Sequence, residues 1–226
     1  MTKLEKEIQK YYRNFKKDFN KKNFPTVYSL IDNFNSEVSN THHPLGSFAI
    51  LYTPVRYKPK LMMIGNNPSW FDKDDPAEGF KIVKNLMKSP PKVNSYITHN
   101  HVYGQRMQLI FNRVGRIDLL EKCVGMNRWW LQTGPENASW NQACRQKSFV
   151  NGPYGIKQNL YEYCEERTKE IINLIKPKVV ILVGKKAQKL GYKKINSCSA
   201  IENVDYPLGR GVTLLEQQLR EIAKTL

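Results

Sequence analysis

Acidic residues are in short supply in this chain. Across 226 residues there are 20 Asp and Glu against 36 Lys and Arg, a formal balance of +16. A surplus of that size in a folded domain points to a polyanionic partner, with nucleic acid the first candidate. A basic surface kept for solubility is the plainer alternative. Long apolar runs are missing too. No stretch approaches the ~20 residues of a membrane helix, and the opening MTKLEKEIQKYYRNFKK has no apolar centre of the signal-peptide kind. The expectation is a cytoplasmic protein without a membrane partner.

Cysteine is sparse and scattered. Cys123, Cys144, Cys164 and Cys198 form no C-x-x-C pair, which argues against a disulfide framework and a structural zinc site. The histidines fall in two short pairs, His42/His43 and His99/His101, whose spacing suits no metal motif. We therefore expect no metal and no cofactor. G-x-x-x-x-G-K-[ST] is absent, and no G-x-G-x-x-G follows a strand, so nucleotide-hydrolysing and dinucleotide-binding readings lose support. Apolar material, by contrast, is ample. Hydrophobic residues make up 40% of the chain, enough for a sizeable core and too much for a disordered one.

Periodicity supplies the elements. Leu4, Ile8, Tyr12, Phe15 and Phe19 recur at spacings of three and four, predicting a helix over 2–22 with lysines on its remaining surface. That surface is either a solvated side or a set of phosphate contacts. Residues 47–52 predict a short strand stopped by Pro54, and Leu61 to Ile64 a strand covered on both faces. A short helix is expected near Phe80 to Met87 and another over 104–114, with a second core strand within Leu120 to Trp130. Asn159 to Lys176 predicts a helix whose inner face is Leu160, Cys164, Ile171, Ile172 and Ile175. Pro177 closes it before the buried strand Val179 to Val183, and Gly184 leads into a short helix ending at Gly191. A last strand over 200–206 and a helix over 212–225, carrying Leu215, Leu219 and Ile222, complete the chain. Alternating strands and helices predict one α/β domain over 1–226, with 1–40 as a basic, helical N-terminal extension.

In open parallel sheets, ligands bind beyond the carboxyl ends of the strands. Three such ends carry polar or glycine-rich sequence: Gly65-Asn66-Asn67-Pro68-Ser69, Asn127-Arg128-Trp129 and Tyr206-Pro207-Leu208-Gly209-Arg210-Gly211. The first resembles the leading active-site motif of the uracil-DNA glycosylase superfamily: glycine, a variable residue, Asp or Asn, proline, then Tyr or Gly. The segment containing IKPKVVILVGKKAQKL is similar to that superfamily's helix, proline, buried strand and glycine-alanine helix, and Tyr206 to Gly211 stands where its second motif belongs. The resemblance covers roughly residues 58 to 220. It implies a three-layer α/β/α sandwich around a short, mainly parallel four-stranded sheet. It also implies a monofunctional DNA glycosylase that flips a base and hydrolyses its N-glycosidic bond.

Carried over by position, Asn67, with Gly65 and Asn66 beside it, falls where the attacking water is aligned. An amide has no useful basicity, so it orients water, and the rate comes from stabilising a sugar cation and an anionic leaving base. Phe80, fifteen residues after Gly65, matches the base-stacking phenylalanine, a contact worth ~1–3 kcal/mol; a core role for it is the alternative. Asn127 matches the amide that reads the pyrimidine edge. Two departures stand out. Tyr206 replaces the superfamily's histidine, leaving a neutral phenol as the donor. Ser69 stands where the uracil-specific branch has a bulky tyrosine, which leaves room for a 5-substituent. Pro68, Leu208, Gly209 and Arg210 belong to the DNA contact, with Leu208 as an apolar wedge.

These features predict excision of uracil or a 5-substituted pyrimidine from single- or double-stranded DNA, by a monomer. The biological setting is base-excision repair or, given the altered second motif, antiviral defence. The competing reading is a DNA-binding module of the same fold whose catalysis went with the histidine. A small-molecule enzyme with a cysteine nucleophile is disfavoured, because no Cys sits at a predicted strand end beside a His.

Overall fold

Four short runs, each of four or five residues, form the centre of the molecule and decide what stands on either side of it. The computed structural model describes residues 1–37, 48–66, 85–98, 102–131, 138–146, 148–151, 157–188, 197–207 and 209–226. Within these, the elements in chain order are α1 (Lys3–Asp18), α2 (Pro25–Glu37), β1 (Leu61–Gly65), α3 (Ser95–Thr98), α4 (Val102–Arg113), α5 (Ile117–Lys122), β2 (Val124–Asn127), α6 (Ala138–Arg145), β3 (Ser148–Asn151), β4 (Lys157–Gln158), α7 (Leu160–Ile175), β5 (Val179–Val183), α8 (Lys185–Gln188), β6 (Ala200–Val204) and α9 (Gly211–Thr225).

The main sheet has the order β2-β1-β5-β6, and every pairing in it is parallel. β1 and β5, in the middle, are the continuous apolar runs LMMIG and VVILV, as strands covered on both faces must be. β6 lies at the edge and exposes Glu202 and Asn203, which discourages pairing with another chain. Side chains alternate between faces along each strand. Met62, Ile64, Val124, Met126, Val180 and Leu182 meet α1, α2 and α7, while Leu61, Met63, Val179, Ile181 and Val204 meet α4, α5 and α9. The result is the expected three-layer sandwich, with a wholly parallel central sheet.

Local signals start and stop the helices. Thr2 and Glu5 cap α1 reciprocally, the Thr2 hydroxyl accepting from the Glu5 N–H at 3.1 Å while the Glu5 carboxylate accepts from the Thr2 N–H. Asn159 and Glu162 repeat the device at α7. Ile8, Tyr12 and Phe15 of α1 are buried, and Phe15 meets Trp130 edge-on at 5.3 Å. The Tyr12 hydroxyl accepts from the Leu51 N–H and the Tyr163 hydroxyl donates to Asp18. α1 therefore completes one layer of the sandwich while Lys3, Lys6, Lys10, Arg13 and Lys17 stay exposed. The inner face expected for α7 is fully buried, and Leu215, Leu219 and Ile222 of α9 are buried too.

Several local expectations change. Residues 48–51 form two isolated antiparallel bridges, Phe48↔Leu131 and Leu51↔Met126, rather than a strand, because the chain bends at Ile50 between them. The core strand expected within Leu120 to Trp130 is β2, and it is preceded by α5, an unanticipated helix too short for its period to stand out. α2 starts on Pro25, a favoured first helical position. Neither α6 nor the small antiparallel β3-β4 pair is anticipated by the periodicity. Of the helix expected near Phe80 to Met87, only Asn85, Leu86 and Met87 are described; the first two are helical and Met87 lies in the turn that follows. No helix among the described residues is long and apolar enough to cross a membrane.

Candidate functional site

Parallel pairing puts the carboxyl ends of all four strands at one edge of the sandwich. β1 and β2 end level there, with Gly65 registered against Asn127. The two chains stay joined for two residues beyond the ladder, since the Arg128 N–H donates to the Gly65 carbonyl at 2.9 Å and the Trp129 N–H to the Asn66 carbonyl at 2.7 Å. Asn127 is only 2% exposed. Its side chain lies on the α4 side of the sheet, beside the face of Gly65 that carries no side chain. A Cβ at position 65 would stand 3.2 Å from Asn127 Oδ1. Glycine therefore lets the Asn127 amide oxygen lie closer to the β1 backbone than a side chain at position 65 would readily allow.

The other end of the same amide is held. Asn127 Nδ2 donates to the hydroxyl of Tyr52, and the Tyr52 backbone is clamped between the Gly125 carbonyl and the Ser95 N–H and hydroxyl. From Tyr52 a row of rings crosses the strand ends. Tyr52 meets Tyr96 at 6.3 Å, Tyr96 meets Tyr103 at 5.8 Å and Tyr103 meets Tyr206 at 5.5 Å between centroids. The row runs from a buried amide to a tyrosine that is 48% exposed. Burial raises the pKa of all four phenols, and the positive charge of Arg106 partly offsets this at Tyr206. Each is a neutral O–H at ordinary pH.

The turn after β6 is shaped by glycine. Gly209 has φ +55, the left-handed region, and a Cβ on Gly211 would fall 2.1 Å from the Tyr206 carbonyl oxygen. Arg106 of α4 donates to the Pro207 carbonyl at 3.3 Å, tying this turn to the tyrosine row. Arg210 is exposed at the start of α9. On the opposite side, Arg128 donates to the Lys186 carbonyl at 2.6 Å and lies 3.8 Å from Glu165, fastening the end of β2 to α8 and α7.

Of the residues singled out in the sequence, Gly65, Asn66 and Asn127 come together at one point, and Tyr206, Gly209 and Arg210 lie at the far end of the tyrosine row. Asn67, Pro68, Ser69, Phe80 and Leu208 lie outside the described residues, as do both histidine pairs. Among the described residues no cluster of His, Cys, Asp or Glu suits a metal ion. Burial pushes the Cys123 and Cys164 thiols up to about 12, so neither supplies a thiolate near neutral pH. Tyr52, Tyr96 and Tyr103 have no counterpart among the motifs. The available signal was composition, with 12 tyrosines in the chain, but it does not say which of them meet.

No family model matches this chain, and no curated protein is found to match it.

Proposed function

We propose that the chain is a monofunctional DNA glycosylase acting on a flipped uracil or 5-substituted pyrimidine. The observation that carries this reading is the buried Asn127 amide at the carboxyl end of β2, registered against Gly65 and lying close beside the face of that glycine that has no side chain. An amide in that place, carrying both a donor and an acceptor, suits the reading of a pyrimidine edge. Asn67, two residues beyond Gly65 in the sequence, orients the attacking water. Tyr206, kept protonated by burial, donates a hydrogen bond to the base oxygen on which charge develops. Lys and Arg side chains hold the phosphates, so the partner is DNA. The protein works as a single-domain monomer in the cytoplasm, without metal or cofactor.

Mass spectrometry of bases released from genomic DNAs that differ in pyrimidine modification tests the reading and identifies the base. Asn67→Ala is expected to abolish release while DNA affinity changes little, because the residue orients water and does not hold DNA. Wild-type turnover in Asn67→Ala would refute the mechanism. DNA binding with no alkali-labile abasic sites on any of these DNAs would leave a binding module instead.

A further inference from the structure

The motif Lys-Pro-Lys occurs twice in the chain, and the fold sets the two copies side by side. Lys58-Pro59-Lys60 leads into β1 and Lys176-Pro177-Lys178 leads into β5. Those strands are parallel neighbours, so the two turns meet at the amino ends of the sheet, opposite the strand-end site. Backbone bonds lock them together. The Lys58 N–H donates to the Ile175 carbonyl at 2.8 Å, and the Lys178 N–H to the Pro59 carbonyl at 2.9 Å. The run ahead of β6 joins them, with the Ser199 N–H donating to the Lys178 carbonyl at 2.8 Å. These segments and the last turn of α7 line a cleft of about 590 Å³, within the ~300–1,000 Å³ of ordinary ligand sites.

We propose that this cleft binds adjacent phosphate groups, at a place separate from the strand-end site. Its walls carry Lys58, Lys176 and Lys178, the hydroxyls of Ser197 and Ser199, and the Asn173 amide, with no carboxylate among them. Every one of these side chains can donate a hydrogen bond, and three bring a positive charge, which suits an oxyanion. The lining contains no aromatic ring, so a base finds no stacking surface and phosphates are the better match. No ion pair among the described residues involves any of the three lysines. Lys178 Nζ donates to the Thr225 carbonyl at 2.7 Å and has N–H groups to spare. Lys58 Nζ lies 5.4 Å from the centre of the Tyr57 ring, which steadies the charge without neutralising it. The backbone supplies a second observation. Lys58 has φ +51 and Lys176 φ +55, and among the described residues they are the only non-glycine residues in the left-handed region. Glycine and asparagine enter that region far more readily, yet both turns keep lysine, and the strain falls where two cations are brought to one cleft. Lys176 also ends α7 and meets its helix dipole, but that accounts for neither Lys58 nor Lys178. Exposed Arg56 and Lys60 flank Lys58 in the chain and add to the positive surface.

The cleft lies at the other ends of the strands from Asn127, so its test does not depend on the glycosylase reading. Tripolyphosphate, which has phosphates and no base, is titrated into the 15N-labelled full chain. Salt is held at about 150 mM, where loose surface attraction is screened. Saturable shifts are expected at the backbone amides of Lys58, Lys178 and Ser199. Lys58→Asn/Lys176→Asn removes two charges while suiting the left-handed backbone, and should weaken binding by about tenfold or more. Lys22→Gln/Lys122→Gln makes the same change in net charge at exposed positions elsewhere and should bind as wild type does. Lys178→Gln, at a residue outside the left-handed region, should also weaken binding and serves if the double variant fails to fold. No saturable shift in wild type would overturn the site, and so would equal affinity in the cleft variants or equal weakening in the Lys22/Lys122 pair. A parallel titration with a DNA oligonucleotide separates the two sources of adjacent phosphates. Shifts at the same amides that tripolyphosphate reverses would identify a nucleic-acid strand as the ligand. DNA that leaves those amides unmoved would identify a free polyphosphate instead.

Discussion

Gly125 is a residue whose missing side chain is structural. It lies in β2, two residues before Asn127, and a Cβ there would fall 2.5 Å from Tyr96 Cε2 and 2.7 Å from the Tyr96 hydroxyl oxygen. Tyr96 is 4% exposed and sits between Tyr52 and Tyr103, so the ring has little room to retreat. Gly125→Ala is expected to destabilise the protein by about 1–3 kcal/mol through overpacking, measured by denaturant unfolding. Under the proposed function it should also lower base release, because Tyr96 packs beside Tyr52, whose hydroxyl bonds the Asn127 amide. Wild-type stability in this variant would show that the row yields easily. The buried thiols give a second prediction at this scale. Cys123 rises from the usual 9.0 to about 12 and Cys164 does the same, both through burial. Groups with raised folded-state values contribute stability that is complete below about pH 9 and is lost as pH climbs through about 12, because unfolding lets them ionise. Buried Tyr52, Tyr96 and Tyr103, all shifted upward, add to the same slope. Thermal unfolding should be nearly flat from about pH 7 to 9 and fall steadily above it, with a shallower fall in Cys123→Ala. A midpoint that stays constant to about pH 11 would contradict this.

At the scale of elements, the turn between β6 and α9 is the piece whose shape and chemistry are most separable. Gly209 provides the left-handed residue and Gly211 the clearance under the Tyr206 carbonyl, while Arg106 ties Pro207 to α4. Such a turn presents Arg210 to solvent from a firmly held base. Extracting a base costs a few kcal/mol of stacking, and a side chain filling the vacated space offsets part of that. Leu208→Ala and Arg210→Ala are therefore expected to reduce base release from duplex DNA more than from single strands, where less stacking opposes flipping. Equal losses on both substrates would remove the wedge assignment and leave the glycosylase reading standing. α1 shows a different division of labour. One face, Ile8, Tyr12 and Phe15, is part of the core, and the other keeps its lysines in water. Charge reversals on the exposed face should leave stability nearly intact, because solvated side chains contribute little to it.

For the whole molecule, the formal balance of +16 is the feature on which the proposed binding of DNA rests. Phosphate neutralisation releases counterions, so affinity should fall steeply and log-linearly with salt and depend little on sequence. Fluorescence anisotropy with labelled duplexes from about 50 to 200 mM salt should show a loss of several orders of magnitude if six or more phosphates are engaged. Reversing Lys6, Lys10 and Arg13 would reduce the slope if α1 lies on the track. Binding that is constant with salt would refute an electrostatic interface. The sandwich places these lysines and the strand-end site in one body, since Leu51, bonded to Tyr12 of α1, immediately precedes Tyr52.

Much of this organisation is local and was legible as such. Unbroken apolar runs predict β1 and β5 because a strand covered on both faces needs them. Period-four apolar residues predict α1, α7 and α9 because one helical face must be buried, and the inner residues named for α7 and α9 are buried. The strand ends Gly65-Asn66 and Asn127 were readable because strand termination and polar sequence coincide there. What lay beyond the sequence depends on contacts between distant segments. Short elements such as α5 and the bridges at 48–51 take their form from the surfaces they lie on, since few residues contribute too little intrinsic preference to decide it. The tyrosine row joins positions 52, 96, 103 and 206, which no periodicity links. The partner of Asn127 is likewise a product of tertiary structure. A hydrogen bond between residues 52 and 127 has no local signature, and only the parallel register of β1 and β2, with an antiparallel segment against their edge, brings that hydroxyl to that amide.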